Sequence, residues 1–195
     1  TSHNIDLGAG ADKLTLGAFA NTGTISNVET IVSGSGADTI TLGTQISNGS
    51  IDLGAGADKL TFSGAGANTA TVANVETIIG GASNNTITLS SAITNGSTDL
   101  GAGVDKLTLG NFTNTITVSN TESVVGGTGQ DTVTLGTALA SSNIIDLGGG
   151  NDKLTLGAFA NTGSVSNVET IIGGSGADTI TLGSAAVKAS IDLGV

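Results

Sequence analysis

The sequence predicts an all-β fold, a right-handed parallel β-solenoid that occupies residues 1–195 as a single unit. Three observations lead there. The segment Ile5-Asp6-Leu7-Gly8 returns at Ile51, Thr98, Ile145 and Ile191, at spacings of 46, 47, 47 and 46, so the chain holds four long repeats and the opening of a fifth. Periods of this length and regularity belong to solenoids and arrays. After every glycine-rich turn, apolar and polar residues alternate with period 2, which is a strand pattern. Composition removes the competing classes: 32 of 195 residues are Gly, four are Phe, and Pro, Cys, Met, Trp and Tyr are absent. A core of Ile, Leu and Val alone has to be thin and long, and abundant Gly, Thr, Ser and Asn disfavour helix.

Each repeat carries two glycine-rich turns. One is typified by Asp6-Leu7-Gly8-Ala9-Gly10-Ala11-Asp12, the other by Gly126-Gly127-Thr128-Gly129-Gln130-Asp131. Their aspartate position falls at Asp12, Asp38, Asp58, Asn85, Asp105, Asp131, Asp152 and Asp178, which lie 26, 20, 27, 20, 26, 21 and 26 residues apart. Coils of about 20 and about 26 residues are therefore expected to alternate, the longer ones carrying an extra segment such as 161–170. Eight coils stacked about 4.8 Å apart give a rod roughly 38 Å long.

The strands follow the turns. Leu14, Ile40, Leu60, Ile87, Leu107, Val133, Leu154 and Ile180 form one inward column, and Leu16, Leu42, Phe62, Leu89, Leu109, Leu135, Leu156 and Leu182 the next. Between them Thr15, Thr41, Thr61, Thr88, Thr108, Thr134, Thr155 and Thr181 face outward, because alternate strand residues face opposite sides. A second strand is expected around Ile31, Ile78, Val124 and Ile171. The outward threonines raise an alternative function, an ice-binding face. Lys13, Lys59, Lys106 and Lys153 interrupt its companion column in every other coil.

Charge narrows the partners. The net charge is −11 and the pI about 4.1, so phosphate backbones would be repelled and cations favoured. No apolar run approaches the ~18 residues of a membrane span, and no charged-then-apolar leader opens the sequence. Without Cys there is neither a disulfide scaffold nor a thiolate metal site. All 16 acidic residues fall at repeated positions: seven in the turn column, five at the Asp6 position and four at the Glu29 position. A column of aspartates one coil apart repels itself unless cations lie between them.

The nonapeptide Gly-Gly-x-Gly-x-Asp-x-aliphatic-x is complete at 126–134 and 173–181 and has Ser33 in first place at 33–41; Leu7, Leu53, Leu100 and Leu147 take that place in four other turns, and Gly80-Gly81-Ala82-Ser83-Asn84-Asn85 loses a glycine and the aspartate. This pattern resembles the RTX, or hemolysin-type, calcium-binding repeat of secreted bacterial proteins. The resemblance implies a parallel β-roll whose turns hold Ca2+ between consecutive coils, through aspartate carboxylates and turn carbonyls. The implied ligand residues are Asp12, Asp38, Asp58, Asp105, Asp131, Asp152 and Asp178. With them come Gly8, Gly10, Gly34, Gly36, Gly54, Gly56, Gly101, Gly103, Gly127, Gly129, Gly148, Gly150, Gly174 and Gly176. Glycine admits the backbone angles that aim several carbonyls at one point, and Ca2+ takes six to eight oxygens. With one motif per coil, one edge is expected to hold metal, in at most seven places, and the Asn85 copy is expected to be weak or empty. The alternative is a set of solvated Gly-Asp turns that need no metal. The Asn-Val-Glu-Thr-Ile stretch before the turn is similar to repeat regions of bacterial S-layer proteins and large RTX adhesins.

The remaining columns have simpler readings. Glu29, Glu76, Glu122 and Glu169 are expected on a solvated face, with ion pairs to the lysines as the alternative. Asp6, Asp52, Asp99, Asp146 and Asp192 are candidate extra ligands. Asn27, Asn74, Asn120 and Asn167 read as a bend-capping ladder. Enzyme action is not expected, because catalysis needs unequal, uniquely placed groups and every acid here has copies. The chain begins and ends within a coil, which suggests a fragment or a unit that stacks end to end into a fibre. The expectation is a calcium-stabilised structural module, secreted or on the cell surface, without nucleic-acid or membrane partners. Its folding is expected to be driven by calcium outside the cell.

Overall fold

The computed structural model describes residues 2–185 and 189–194. Among these, there is no helix, and 21 strands form two sheets in which every pairing is parallel. The odd-numbered strands make an 11-stranded sheet and the even-numbered strands a 10-stranded one, so each coil contributes one strand to each sheet. At about 4.8 Å per rung the larger sheet extends about 48 Å. The β-solenoid is as expected from the repeat and the period-2 pattern.

The expected alternation of 20- and 26-residue coils does not hold. His3 pairs with Gly23, Thr22 with Thr39 and Thr132 with Lys153, so a coil takes 17 to 21 residues. The reason lies within one repeat. β1 (His3–Asp6), β2 (Lys13–Thr15), β3 (Thr22–Ser26), β4 (Thr30–Val32) and β5 (Thr39–Leu42) precede β6 (Gly49–Asp52), where the next repeat opens. Five strands at two per coil make two and a half coils. Ile5, Thr98 and Ile191 therefore lie in the 11-stranded sheet, and Ile51 and Ile145 in the other. Segments such as 161–170, read as extra material, are strands in their own right.

The odd count also divides the threonine column. Thr41, Thr61, Thr134 and Thr155 belong to one sheet, Thr15, Thr88, Thr108 and Thr181 to the other. Along the first sheet the outward positions run Thr24, Thr41, Thr61, Ile79, Asp99. A continuous flat threonine lattice is thus absent, and the ice-binding arrangement loses its geometric basis.

The core is the thin aliphatic ladder that the composition demands. Ile31, Leu60, Ile78, Ile87, Leu107, Val124 and Ile145 are fully buried. The adjacent apolar pair Ile31-Val32 resolves simply, with Ile31 inside and Val32 on the outer face. One rung breaks the pattern. Thr98 stands where the other repeats have Ile, is 1% exposed, and its Oγ1 has no hydrogen-bond partner. A buried unsatisfied hydroxyl costs about 1–3 kcal/mol. Thr98→Val keeps the shape and removes the hydroxyl. It should raise the unfolding free energy by about 1 kcal/mol, read as a higher urea midpoint at an unchanged slope; a lower midpoint would contradict this account.

Candidate metal sites

The eight glycine-rich turns do not form one column on one edge. They fall on both edges, because each repeat advances by half a coil. The turns at 33–38 and 53–58 lead from the 10-stranded into the 11-stranded sheet, as do those at 126–131 and 147–152. The turns at 7–12, 80–85, 100–105 and 173–178 lead the other way. On either edge the turns come in stacked doublets, a Gly-Gly turn against the Leu-Gly turn of the following coil. Ala55 N–H donates to Gly34 O at 2.9 Å, Ala102 to Gly81 O at 3.1 Å and Gly149 to Gly127 O at 2.8 Å. Seven consecutive inter-turn spaces on one edge therefore do not exist.

Two kinds of turn use glycine for two different reasons. In the Leu-Gly turn Gly54 has φ +83°, and its N–H is held by Asp52 Oδ1 at 3.1 Å. In the Gly-Gly turn the need is space: a Cβ on Gly36 would lie 2.2 Å from the carbonyl carbon of Phe19 in the coil before. The Asp6-type residues belong to the first device. Asp6, Asp52, Asp99 and Asp146 each accept the glycine N–H two residues on and the Nδ2 of Asn27, Asn74, Asn120 or Asn167 in a neighbouring coil. Those asparagines have φ of 48–54° and do cap the bends. The Asp6 column thus shapes the turn.

The turn aspartates are linked into ladders along each edge. On one, Asn21 N–H donates to Asp38 Oδ1 at 2.7 Å, Asp38 N–H to Asp58 Oδ1 at 2.6 Å, and Asp58 N–H to Glu76 Oε2 at 2.7 Å. Asn114, Asp131, Asp152 and Glu169 repeat the order, with distances of 3.1, 2.7 and 2.8 Å. Asn68, Asn85, Asp105 and Glu122 do so on the opposite edge. The glutamates are therefore built into the turns and are not merely a solvated face; among the described residues none pairs with a lysine.

In Asp58, Asp105, Asp131, Asp152 and Asp178 one oxygen is consumed by the ladder and the other is not. The Oδ2 atoms of Asp12, Asp58, Asp105, Asp131, Asp152 and Asp178 are buried without a hydrogen-bond partner. Asp58, Asp105, Asp131 and Asp152 are at most 1% exposed. Burial pushes all four carboxyls above the usual range, Asp152 to about 6, against the lowering effect of the N–H each accepts. The charge of Asp131 and then of Glu169 adds to the rise at Asp152. Buried charges of one sign require either protons or a counter-ion.

The third repeat marks where a counter-ion fits. There Asn85 Nδ2 donates to Ser83 O at 2.7 Å, Asp105 Oδ1 at 3.1 Å and Leu100 O at 3.2 Å. Three oxygens thus converge on one amide nitrogen. By repeat register the same acceptors in the next doublet are Gly129 O, Asp152 Oδ1 and Leu147 O, and there the fourth group is the unpartnered Asp131 Oδ2 rather than an amide. Around Gly173, a Cβ would meet Leu193 O at 2.3 Å and Asp178 Oδ2 at 2.6 Å, so these oxygens also crowd one space. In the first repeat Ser33 Oγ donates to Asp38 Oδ2 at 2.5 Å. Around Asp131 and Asp178, carboxylate and carbonyl oxygens with no side-chain donor on Oδ2 suit a hard divalent cation such as Ca2+. Among the described residues no three Asp, Glu or His side chains are arranged to hold one ion, so most ligands have to be backbone oxygens.

The opposite face of each Gly-Gly turn is closed. Asn21 Nδ2 donates to Phe19 O, Asp38 Oδ1 and Gly17 O at 2.7, 2.9 and 3.0 Å. Asn68, Asn114 and Asn161 make the same three kinds of contact in their repeats. The sequence reading missed this column, although Asn recurs there at spacings of 46 or 47.

A family model for the RTX calcium-binding nonapeptide repeat matches in four copies, over residues 73–91, 137–162 and 166–186, about a third of the chain. No curated protein and no solved structure matches. The matched residues include the complete nonapeptide at 173–181 and the Asn85 copy, and RTX nonapeptide repeats bind Ca2+. The chain is a parallel β-solenoid of which residues 73–91, 137–162 and 166–186 match the RTX calcium-binding nonapeptide repeat.

Proposed function

We propose that this chain is a calcium-stabilised structural module of a bacterial extracellular or cell-surface protein, with its ions held inside the stacked turn doublets. The carrying observation is the buried, unpartnered Oδ2 of Asp131 and of Asp178, each beside converging carbonyls. The ligand groups are Asp131 and Asp152 with Gly129 O and Leu147 O, and Asp38 and Asp58 with Gly36 O and Leu53 O. Asp178 supplies a further half-site. Among the originally expected ligands, Gly36 and Gly129 contribute carbonyls. Gly8, Gly54, Gly101 and Gly148 set the turn, and Gly34, Gly127 and Gly174 allow close stacking. Asp105 lies in a turn whose Gly-Gly partner is closed by Asn85, and Asp12 in a Leu-Gly turn on which no Gly-Gly turn is stacked among the described residues.

A bound Ca2+ would neutralise the stacked carboxylates and so couple folding to metal. The −11 charge and the orphaned oxygens together disfavour the coiled state without it. That coupling suits a chain exported unfolded and folded where calcium is plentiful. RTX repeats are typical of secreted bacterial proteins, which supports the location, and the repeated, equivalent acids support a structural role over a catalytic one.

Metal counting tests the ligand assignment. Asp131→Asn keeps an acceptor for Asn114 N–H but copies the amide of Asn85, and should lose one calcium equivalent in equilibrium dialysis. Asn85→Asp should gain one and should melt lower than the parent in chelator. Unchanged counts for both would refute the doublet sites.

The pH dependence has a definite sign. Asp152 has a folded pKa of about 6, above its ordinary 3.8, so its contribution is fully present below about 4 and is lost as pH rises through about 6. Asp58, Asp105 and Asp131 act in the same direction. In chelator the melting temperature should therefore fall as pH rises from about 4 to about 7, and saturating calcium should abolish that fall. A melting temperature that rises over this range in chelator would contradict the desolvated-carboxylate account.

A further inference from the structure

We propose a second class of divalent-cation site, between each Leu-Gly turn and the Asn-Val-Glu bend of the coil that follows, ligated by the free Oδ2 of the turn aspartate and the free carboxylate oxygen of the bend glutamate. The pairs are Asp12 with Glu29, Asp58 with Glu76, Asp105 with Glu122, and Asp152 with Glu169. The glutamates lie outside the nonapeptide, and the proposal extends the calcium reading beyond it.

The third repeat separates this site from the doublet site. Asp105 Oδ1 already accepts both the N–H and the Nδ2 of Asn85, at 2.5 and 3.1 Å, so the doublet above it is closed by an amide. Asp105 is nonetheless 1% exposed with Oδ2 buried and unpartnered. A cation in the doublet cannot account for that oxygen. On its other side stands Glu122, whose Oε2 accepts Asp105 N–H at 2.8 Å. The same N–H bond of 2.7–2.8 Å joins Asp12 to Glu29, Asp58 to Glu76 and Asp152 to Glu169. Lys106, the residue after Asp105, makes no ion pair with Glu122, nor do its counterparts with theirs. Two carboxylates of adjoining coils, one desolvated and one half-exposed, match a divalent charge. The half-exposed glutamate leaves room for waters to complete the six to eight oxygens that Ca2+ takes.

Glutamine at the bend preserves an acceptor for the aspartate N–H while removing the charge, so the coil can still close. The experiment counts bound calcium by equilibrium dialysis on the full chain, for the parent, Glu122→Gln, and the quadruple Glu29→Gln, Glu76→Gln, Glu122→Gln and Glu169→Gln. Circular dichroism in calcium checks that each is folded. Expected are the loss of one equivalent for Glu122→Gln and of four for the quadruple, with the gain of one equivalent for Asn85→Asp retained in the Glu122→Gln background. A folded quadruple variant that binds as much calcium as the parent would overturn this second class and leave the doublet sites standing, whereas a parent that binds no calcium would overturn both. If the glutamate pairs hold only a shared proton, the calcium count of the quadruple equals that of the parent, which is the overturning result.

Discussion

A stack of parallel coils must satisfy, at the entrance to every strand, a backbone N–H that the sheet ladder does not reach. In this protein a side-chain oxygen one coil further along takes it. Asn, Asp, Asp and Glu follow one another in that role, so the turn sequence is set by backbone hydrogen bonding before any metal is considered. Using aspartate for the task has a consequence. The oxygen that accepts the N–H draws its twin into the coil, and the twin has no donor. The desire of the backbone for an acceptor thus creates the desolvated charge that a cation relieves.

Where the ladder uses asparagine, no such charge arises. Asn68, Asn114 and Asn161 accept the N–H of Ile46, Ile93 and Leu139 through Oδ1, and like Asn21 they turn the amide nitrogen toward the loop carbonyls. An amide nitrogen and a cation are interchangeable answers to converging carbonyls, differing in the charge they bring. Asn85 shows the exchange within a single column: the position that is Asp131 or Asp178 elsewhere carries its own donor and closes the space. A repeat can therefore lose its nonapeptide without losing its place in the stack.

The strand content, the inward aliphatic columns and the acidic turns were legible in the sequence because they rest on local periodicity. Leu60, Ile87, Leu107 and Val133 are buried as alternation requires. The coil length was not legible. Counting from aspartate to aspartate measured the distance between motifs, and the strands at 22–26 and 162–166, with Thr, Gly and Ser among their residues, have too little apolar alternation to announce themselves. Gly23 and Gly163 occupy inward positions there, and a Cβ on Gly163 would lie 2.6 Å from Leu139 Cγ, so a side chain from a neighbouring coil fills the core in place of one at 163. Inward glycine hides a strand from any reading based on hydrophobic period. The bend glutamates were misread for a related reason: their function depends on a partner 17 or 18 residues away, in the next coil.

Once the coil is counted correctly, the half-coil advance of each repeat explains why the metal chemistry is paired and alternating. An even number of strands per repeat would place every Gly-Gly turn on one edge and every acid in one file, concentrating the charge along one side of the rod. Five strands send successive doublets to opposite edges, separated on each edge by asparagine-closed loops and glutamate bends. The repulsion between aspartates is then confined to neighbours within a doublet, which a single ion can bridge, and falls away between doublets through distance and screening. Each doublet can fill or empty with little effect on the charge of the next, while the aliphatic ladder beneath remains continuous. The strand count per repeat, a property no single motif displays, is what divides the acidic column into separate sites.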